Sequence, residues 1–276
     1  MPCSDGSGTI IETGPGVDSA LIGSDVVINP AIEWGRGEMP EPELRILGIG
    51  MPGTLAEYVT VPADSVKPIP EHMSFEEAAA FPLAGTTAYR ALVRRGALRS
   101  GERLLITGIG GGVALSGLQI GLACQCGVSV TSSSDEKIRK AVALGAENGV
   151  NHAKPGWAAV LRERAGEFDI VLDSAGGETL SEISRLVRPG GRIVSVGITS
   201  APVAALDVQQ LFSKQLTYLG SMMGSEADFA EMLTFVSRHR IVPVVDRIVS
   251  LTNVNEAFWK LRRGEQFGKL VVTIDL

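Results

Sequence analysis

The sequence predicts an α/β protein in which a doubly wound parallel sheet is combined with a β-rich module built from both ends of the chain. Three observations indicate this class. Short runs of Val, Ile and Leu alternate with Ala-rich helical segments through the middle of the chain, which is typical of parallel strands and their crossover helices. The 33 glycines fall in short clusters between those runs. Residues 1–70 instead carry short β-type runs separated by Gly and Pro.

The composition limits the size and the setting of the protein. A chain of 276 residues makes one large domain or two modest ones, and we place the β-rich domain at 1–85 and 223–276 and the sheet domain at 86–222. The net charge of −6 argues against nucleic acid or an anionic membrane as a partner. No apolar run is long enough for a membrane span, no signal-peptide pattern is present, and the cysteines are few and odd in number. We therefore expect a cytoplasmic protein.

The N-terminal elements follow from alternation and capping. Apolar runs predict strands at 8–12, 25–28 and 56–61, and a polar stretch rich in Pro and Gly at 34–53 is interpreted as a long surface loop. Ser74 and Glu77 form a capping box, which begins a short helix. A second helix is predicted after Pro82 and runs to Arg95.

The central elements follow from the strand–helix rhythm. Strands are predicted at 104–107, 128–131, 149–151, 168–173, 192–196 and 216–219, and helices at 114–123, 135–145, 157–164, 179–187 and 206–212. On the C-terminal flank, Ser225 with Asp228 caps a helix that runs through Val236. A helix at 253–263 and a strand at 269–273 complete the chain.

A glycine cluster, Gly108-Ile109-Gly110-Gly111-Gly112, follows the first central strand and precedes a helix. In that position a glycine-rich turn is typical of dinucleotide binding, because the backbone can approach a pyrophosphate and the helix N-terminus offers free N–H groups. A tight strand-to-helix turn without a ligand is the alternative interpretation. A P-loop is excluded because no Gly-Lys-Ser/Thr follows. The cluster thus indicates a Rossmann-like sheet with a dinucleotide site.

The end of the second central strand indicates which dinucleotide binds. An NAD site places Asp or Glu there, to accept the ribose hydroxyls. This chain has hydroxyls from Thr131 to Ser134, among them Ser132, and Lys137 soon after. Hydroxyls and an ammonium suit a 2′-phosphate, so the sequence predicts NADP(H). Ser134 or Asp135 can also cap the next helix, and both roles are compatible.

Five stretches, in order along the chain, carry a resemblance to a known family. They are PCSDGSG at 2–8 with GPGV at 14–17, GTLAEY at 53–58, AGTTAY at 84–89, the glycine cluster running into LQI at 118–120, and FGKLVV at 267–272. On these residues the chain resembles the medium-chain dehydrogenase/reductase superfamily, on its zinc-free, quinone-oxidoreductase-like branch. The resemblance implies a β-rich, GroES-like catalytic domain and a Rossmann domain, with the cofactor in the cleft between them.

The resemblance also implies roles for individual residues. The pyrophosphate is expected to meet Gly111, Gly112 and Val113, and the 2′-phosphate to meet Ser132 and Lys137. Ser174, Gly197, Ile198 and Thr199 are expected to flank the ribose and nicotinamide, and Thr87, Phe267 and Lys269 to close the site. In this superfamily the last strand of the sheet pairs with a second copy, so a homodimer through Leu216 to Leu219 is expected.

Two departures from the family pattern bear on the chemistry. Ser4 stands where zinc-dependent members have a His ligand, no cysteine lies near Pro82 or in the 34–53 segment, and the histidines are scattered, so we expect no zinc. The chain also begins late in the family pattern. We therefore expect an N-terminally incomplete catalytic domain, which is a fragment, a mis-started reading frame or a trimmed member.

The expected function is zinc-independent hydride transfer from NADPH to a small enone, quinone or carbonyl acceptor. The substrate-side candidates are Asp5, Asn29 and Trp34, each with a structural alternative: a loop hydrogen bond, a turn before Pro30, or packing. A non-catalytic NADP(H)-binding protein, or an inactive truncated family member, is the competing interpretation. A methyltransferase using S-adenosylmethionine is a third, which Ser132 disfavours.

Cys124 and Cys126 form a Cys-Gln-Cys sequence that suggests a redox or metal pair. The two residues are expected at the end of a helix, where neighbours two apart point in different directions. Buried free cysteine is common. We therefore favour two inert thiols.

Overall fold

The computed structural model describes residues 1–35, 37–177 and 179–274. In chain order the strands are β1 (Ser7–Thr9), β2 (Asp25–Ile28), β3 (Ala31–Ile32), β4 (Arg45–Ile46), β5 (Val66–Pro68), β6 (Arg103–Ile106), β7 (Gly127–Ser132), β8 (Asn148–Asn151), β9 (Phe168–Asp173), β10 (Val187–Ser195), β11 (Thr217–Gly220), β12 (Val245–Ser250) and β13 (Lys269–Thr273). The helices are α1 (Phe75–Ala79), α2 (Pro82–Tyr89), α3 (Gly112–Ala123), α4 (Asp135–Ala143), α5 (Trp157–Ala165), α6 (Thr179–Leu186), α7 (Val208–Ser213), α8 (Glu226–His239) and α9 (Val254–Arg262).

The chain divides into two compact units. Unit 1 comprises Met1–Thr86 and Met223–Leu276, and unit 2 comprises Thr87–Met222. Unit 2 holds a parallel sheet and unit 1 holds a separate antiparallel sheet. The predicted fold class, a Rossmann-like parallel sheet with a β-rich module from both chain ends, is therefore confirmed.

The sheet of unit 2 has the strand order β11-β10-β9-β6-β7-β8, and every neighbouring pair is parallel. Helices pack against it, so its central strands are buried on both faces: Leu104, Leu105, Ile106, Val171 and Leu172 are fully buried. Chain order reverses on either side of β6. In such sheets ligands bind where the order reverses, beyond the carboxyl ends of the strands.

The described residues of unit 1 form three small sheets. Strands β1, β2 and β5 form an antiparallel sheet, β3 pairs with β4, and β12 pairs in parallel with β13. Both predicted capping residues begin helices here. Ser74 and Glu77 form the capping box of α1, and Ser225 and Asp228 form that of α8.

Two sequence interpretations in unit 1 are wrong. The 56–61 segment forms no strand, since β5 takes the place beside β2 and none of the described strands pairs with this segment. The 34–53 segment is not simply a surface loop, because it contains β4 and buries Trp34 and Leu47, which are 3% and 2% exposed. Strand β12 was not predicted at all, since its Val-Asp-Arg start breaks the apolar run.

The predicted helix after Pro82 is observed with a change of pitch. Helix α2 continues into a π-helical segment, Arg90–Arg95. Arg192 of β10 donates hydrogen bonds to the carbonyls of Gly96 and Ala97 at the end of that segment and pairs with Glu102. No helix among the described residues has both the length and the apolar character that crossing a membrane requires.

Candidate cofactor site

The glycine-rich loop of unit 2 lies between β6 and α3. Gly108 and Gly110 have φ angles of +67° and +124°, a region that favours glycine. The Ile109 N–H donates to the carbonyl of Thr131 at 2.8 Å, which ties the loop to β7. The N-cap of α3 is Gly111, so no capping side chain competes for the N–H groups of the first turn. The loop and helix end therefore form a surface suited to an anion.

Lys137 lies across this loop. A Cβ atom added to Gly110 would be 2.8 Å from Lys137 Cδ and 3.3 Å from its Nζ. The φ of +124° favours glycine at this position, and a side chain here would also have to displace the flexible end of Lys137. The ammonium is thus held beside the N-terminus of α3, where two sources of positive charge combine.

The hydroxyls that follow β7 organise the helix that carries Lys137. Ser134 is the N-cap of α4 and accepts from the Lys137 N–H at 3.3 Å. Ser132 is 4% exposed, and its Oγ accepts from the Ser134 N–H at 3.2 Å. The hydroxyls after β7 therefore cap α4, and this capping is compatible with the phosphate contact that the sequence predicts for the segment. Ser132 itself is buried.

Asp135, an acid close to the predicted phosphate position, is neutralised by its neighbours. Its carboxylate accepts from Lys154 at 2.8 Å and from Asn151 at 3.0 Å. The bonds from Lys154 and Asn151 hold the pKa of Asp135 below its usual value. The pairing with Lys154 reduces the repulsion that this carboxylate would exert on a bound phosphate.

A buried carboxylate, Asp173, ends β9 between the loops. It is fully buried and accepts from Thr107 Oγ1 at 2.8 Å, Ser195 Oγ at 3.0 Å, and the N–H groups of Ala175 and Gly176 at 3.2 and 3.3 Å. The donors come from the ends of β6 and β10 and from the loop after β9 itself. The carboxyl ends of three adjacent strands are thereby joined.

The loops after β9 and β10 are also joined directly. The Ser174 carbonyl accepts from Thr199 Oγ1 at 3.0 Å and from the Thr199 N–H at 3.3 Å. A Cβ atom on Gly197 would lie 2.9 Å from the Ser174 carbonyl oxygen, so the close approach requires glycine. Ile198, between Gly197 and Thr199 in the sequence, is 66% exposed. Ser174, Gly197, Ile198 and Thr199 therefore form one structural group, as their predicted common role requires.

The remaining predicted cofactor residues lie elsewhere. Thr87 is buried in α2. Phe267 and Lys269 belong to unit 1, where Phe267 is buried and its N–H donates to Asp246 at 3.3 Å. Lys269 donates to Asp5 Oδ2 at 2.6 Å.

Asp5 is engaged on both oxygens. Besides Lys269, it accepts from the Leu83 N–H in the first turn of α2 at 2.7 Å. The side chains of Asp5 and Lys269 are only 12% and 27% exposed. A carboxylate at a helix N-terminus is favourable both as a hydrogen-bond acceptor and through the helix dipole. Asp5 therefore secures the start of α2, close to the structural alternative predicted for it.

Asn29 and Trp34 also make structural contacts. Asn29 is 1% exposed and its Oδ1 accepts from the Ala31 N–H at 3.2 Å, which forms a local turn. Trp34 packs with Ala31 and Met223 in a core cluster, and its indole N–H donates to the Gly37 carbonyl at 3.2 Å. Like Asp5, both residues thus have the structural role that the sequence left open as an alternative.

The cysteines and metal ligands can be placed for the described part of the chain. Cys126 is buried, and burial raises the pKa of its thiol to about 11. Burial also raises the pKa of Cys124. Few thiolates form at neutral pH under these conditions. No group of three His, Cys, Asp or Glu side chains suited to a metal ion occurs among the residues that the structure describes.

No site role was predicted for Thr107 or Ser195, and Asp173 was predicted only as the last residue of a strand. One signal was available. Each of these polar residues closes an apolar run at a strand end, and the carboxyl ends of parallel strands meet at one edge of a sheet. Taken together, three such endings predict a polar cluster.

Two family models match the chain. Residues 112–238 match the family described as zinc-binding dehydrogenase, and residues 1–71 match the alcohol dehydrogenase GroES-like domain. The chain is 38% identical to the zinc-type alcohol dehydrogenase-like protein YogA of Leptosphaeria maculans, over 98% of this chain and 81% of that protein.

Solved structures show the same fold. The crystal structure of an NAD-dependent alcohol dehydrogenase matches with a TM-score of 0.90 and 33% identity, over 99% of this chain and 82% of the other. A 2-octenoyl-CoA carboxylase reductase in complex with NADP and 2-octenoyl-CoA matches with a TM-score of 0.91 and 29% identity, over 98% and 67%. The similarity extends through both units.

Proposed function

The chain belongs to the medium-chain dehydrogenase/reductase superfamily, and on that premise we propose that it is an oxidoreductase that uses NADPH, without zinc, to reduce a small enone, quinone or carbonyl compound. When bound, the nicotinamide supplies the hydride. The observation that carries the proposal is the position of Lys137 across the glycine-rich loop. It gives an ammonium to the phosphate-binding end of the sheet, and β7 ends on Ser132, where an NAD-type site has a carboxylate.

The residues of unit 2 fit such a cofactor. The first-turn N–H groups of α3, from Gly112 and Val113, would bind the pyrophosphate beside Gly111, and Lys137 with the hydroxyls after β7 would bind the 2′-phosphate. Ser174 and residues 197–199 would orient the ribose and nicotinamide. The contribution of the protein is to bind and align, which needs no strong acid–base pair near the acceptor.

Zinc independence is the second part of the proposal. The described residues do not bring three metal-ligand side chains together, whereas a catalytic zinc site uses three protein ligands. The acceptor must therefore be polarised in itself, and a double bond conjugated to a carbonyl meets that need. The NADP complex of the similar carboxylase reductase holds an acceptor of this type, 2-octenoyl-CoA.

A second candidate function is favoured by a separate observation. Asp5, Asn29 and Trp34 are all engaged in the packing and hydrogen bonding of unit 1. A non-catalytic NADP(H)-binding protein accounts equally well for the features of unit 2. Steady-state NADPH oxidation with a panel of enones and quinones separates the two, because nucleotide binding without turnover of any acceptor favours the second.

The cofactor assignment is tested with Ser132→Asp/Lys137→Ala. One charge-assisted hydrogen bond contributes about 1.5–3 kcal/mol, so we expect the preference for NADPH over NADH to fall at least about tenfold. Dissociation constants for both nucleotides, measured by fluorescence titration, give the ratio. Lys140→Ala is the matched control. It also removes a cation from α4, but the ammonium of Lys140 pairs with Glu136. An unchanged ratio in the double variant contradicts the assignment.

We also propose a homodimer through β11. This strand is at one edge of the sheet, and its Tyr218 is 43% exposed. An open edge strand offers unpaired backbone groups to a second copy. Sedimentation of the wild type against Gly220→Pro tests this. The Ser221 N–H donates to β10, so the alternating Gly220 N–H lies on the open side of the strand, where Pro removes a donor; a wild type that sediments as a monomer contradicts the proposal.

A further inference from the structure

We propose that Asp173 is a positioning residue for the nicotinamide half of the cofactor. The inference rests on the proposed function and extends it to a residue that cannot touch the ligand, because Asp173 is fully buried. Its carboxylate fixes the backbone of the loops that follow β6, β9 and β10.

The carboxyl group of Asp173 is held away from water. A carboxylate removed from water must be compensated by hydrogen bonds. Asp173 receives them from two hydroxyls, Thr107 and Ser195, and from two backbone N–H groups, Ala175 and Gly176. Withdrawing any of these donors would leave charge uncompensated, so the loops that carry them are held in one arrangement.

The hydrogen bonds of Asp173 reach the candidate binding residues through Thr107. Thr107 Oγ1 donates to Asp173 and accepts from the Ser174 N–H at 3.0 Å, while Ser174 Oγ donates to the Thr107 carbonyl at 3.0 Å. The Ser174 carbonyl in turn receives both bonds from Thr199. Asp173 thus acts on Ser174 through the Thr107 hydroxyl, and on Thr199 through one further contact.

Ser195 extends this hydrogen-bond network from Asp173 to Tyr218. Ser195 Oγ lies 2.9 Å from Tyr218 Oη. Because the single hydroxyl hydrogen of Ser195 goes to Asp173, Tyr218 is the donor in this pair. Removing the Tyr218 hydroxyl leaves the bond from Ser195 to Asp173 intact, so that change is expected to have a small effect.

The test compares two ligands on the wild type and Asp173→Asn. NADPH contacts both halves of the site, whereas 2′,5′-ADP has the adenosine and 2′-phosphate but no nicotinamide. The amide nitrogen of Asn cannot accept the bonds that the lost oxygen accepted. We expect the Kd for NADPH to rise at least about tenfold, because the ligand must then order loops that a charge-assisted hydrogen bond within the protein no longer holds, and kcat to fall. The Kd for 2′,5′-ADP is expected to change less than about twofold, because the bonds of Asp173 go to the loops after β6, β9 and β10 and not to the residues after β7.

Matched variants separate positioning from stability. Asp169→Asn alters the other end of β9, where the carboxylate accepts from Arg188 and from the Arg103 N–H. It is expected to lower Tm without changing either Kd. Thr107→Val removes one donor to Asp173 while keeping the carboxylate, and replaces Asp173→Asn if that variant does not fold; it is expected to show the same selectivity to a lesser degree.

The outcomes are distinct. If Asp173→Asn weakens both ligands alike, or leaves NADPH affinity unchanged, the positioning role is overturned and the proposed function is not. If the wild type binds neither ligand, the proposed function fails and this inference fails with it.

Discussion

In unit 2 the polar residues at the strand ends meet at one edge of the sheet and hold the loops there, whereas in unit 1 the polar residues selected from the sequence hold the fold itself. Asp173 joins three strand ends of unit 2. Asp5, Asn29 and Trp34 instead secure a helix start, a turn and a core cluster of unit 1.

The difference teaches when a residue can be assigned from sequence. A parallel sheet brings every carboxyl end to one edge, so residues far apart in sequence become neighbours by topology alone. Unit 1 consists of short sheets and connecting segments, and no comparable rule gathers its polar residues. The three predictions that follow test that contrast.

The largest effect is expected for Trp34→Ala. Trp34 is 3% exposed, and truncating a buried aromatic residue typically lowers the free energy of unfolding by about 3–5 kcal/mol. Calorimetric Tm values measure the change. Trp259→Ala is the control, since Trp259 is 55% exposed in the same unit. A Trp34→Ala variant with unchanged Tm and a raised KM for the acceptor would contradict the packing role and indicate that Trp34 contacts the substrate.

The cysteines allow each unit to be followed separately. Cys3 lies in unit 1 and is exposed, although burial of its sulfur and the Asp5 carboxylate raise the pKa of its thiol. Cys126 lies in unit 2 and is buried.

We expect a disulfide reagent at pH 8 to label Cys126 about a hundredfold more slowly than a thiol with the ordinary pKa of 9.0, because a pKa of about 11 leaves correspondingly less thiolate. Labelling time courses read by mass spectrometry measure this. Cys126→Ser identifies the signal, and rapid formation of a bond between Cys124 and Cys126 would favour a redox pair.

A smaller effect is expected for Asp5→Asn. The change weakens the bonds to Lys269 and to the Leu83 N–H, and a hydrogen bond to a charged group contributes about 1.5–3 kcal/mol. Thermal unfolding measures the loss. Glu33→Gln is the control, because its pair with Arg45 is about half exposed and such pairs contribute about 0–1 kcal/mol. Full stability with altered acceptor kinetics would place Asp5 at the substrate instead.

The fold of unit 2 was largely predictable, and the reason is its burial. Strand β9 has the bounds expected from its apolar run, and β6 and β7 lie within a residue or so of theirs. In unit 1 the signals are weaker. Strands β3 and β4 have two residues each, too few for alternation to register.

The sequence indicated which types of residue form the candidate site, but it did not indicate which of them contact each other. Lys137 was selected from its place after the second strand, but nothing in the sequence indicates that its side chain crosses Gly110. The bond from Thr107 to Asp173 joins residues 66 positions apart. Such pairings depend on tertiary structure, which local patterns do not encode.

The discontinuous make-up of unit 1 has a consequence for biosynthesis. Unit 2 is one continuous segment, so all of it is translated before the C-terminal part of unit 1. The first 86 residues of unit 1 are translated well before β12, β13 and Lys269, with which they form one unit. At an elongation rate of about 5–20 residues per second, that delay is on the order of tens of seconds. The nascent N-terminal segment is therefore without its partners for that time, and a stop codon before Met223 would leave it without the C-terminal part of unit 1.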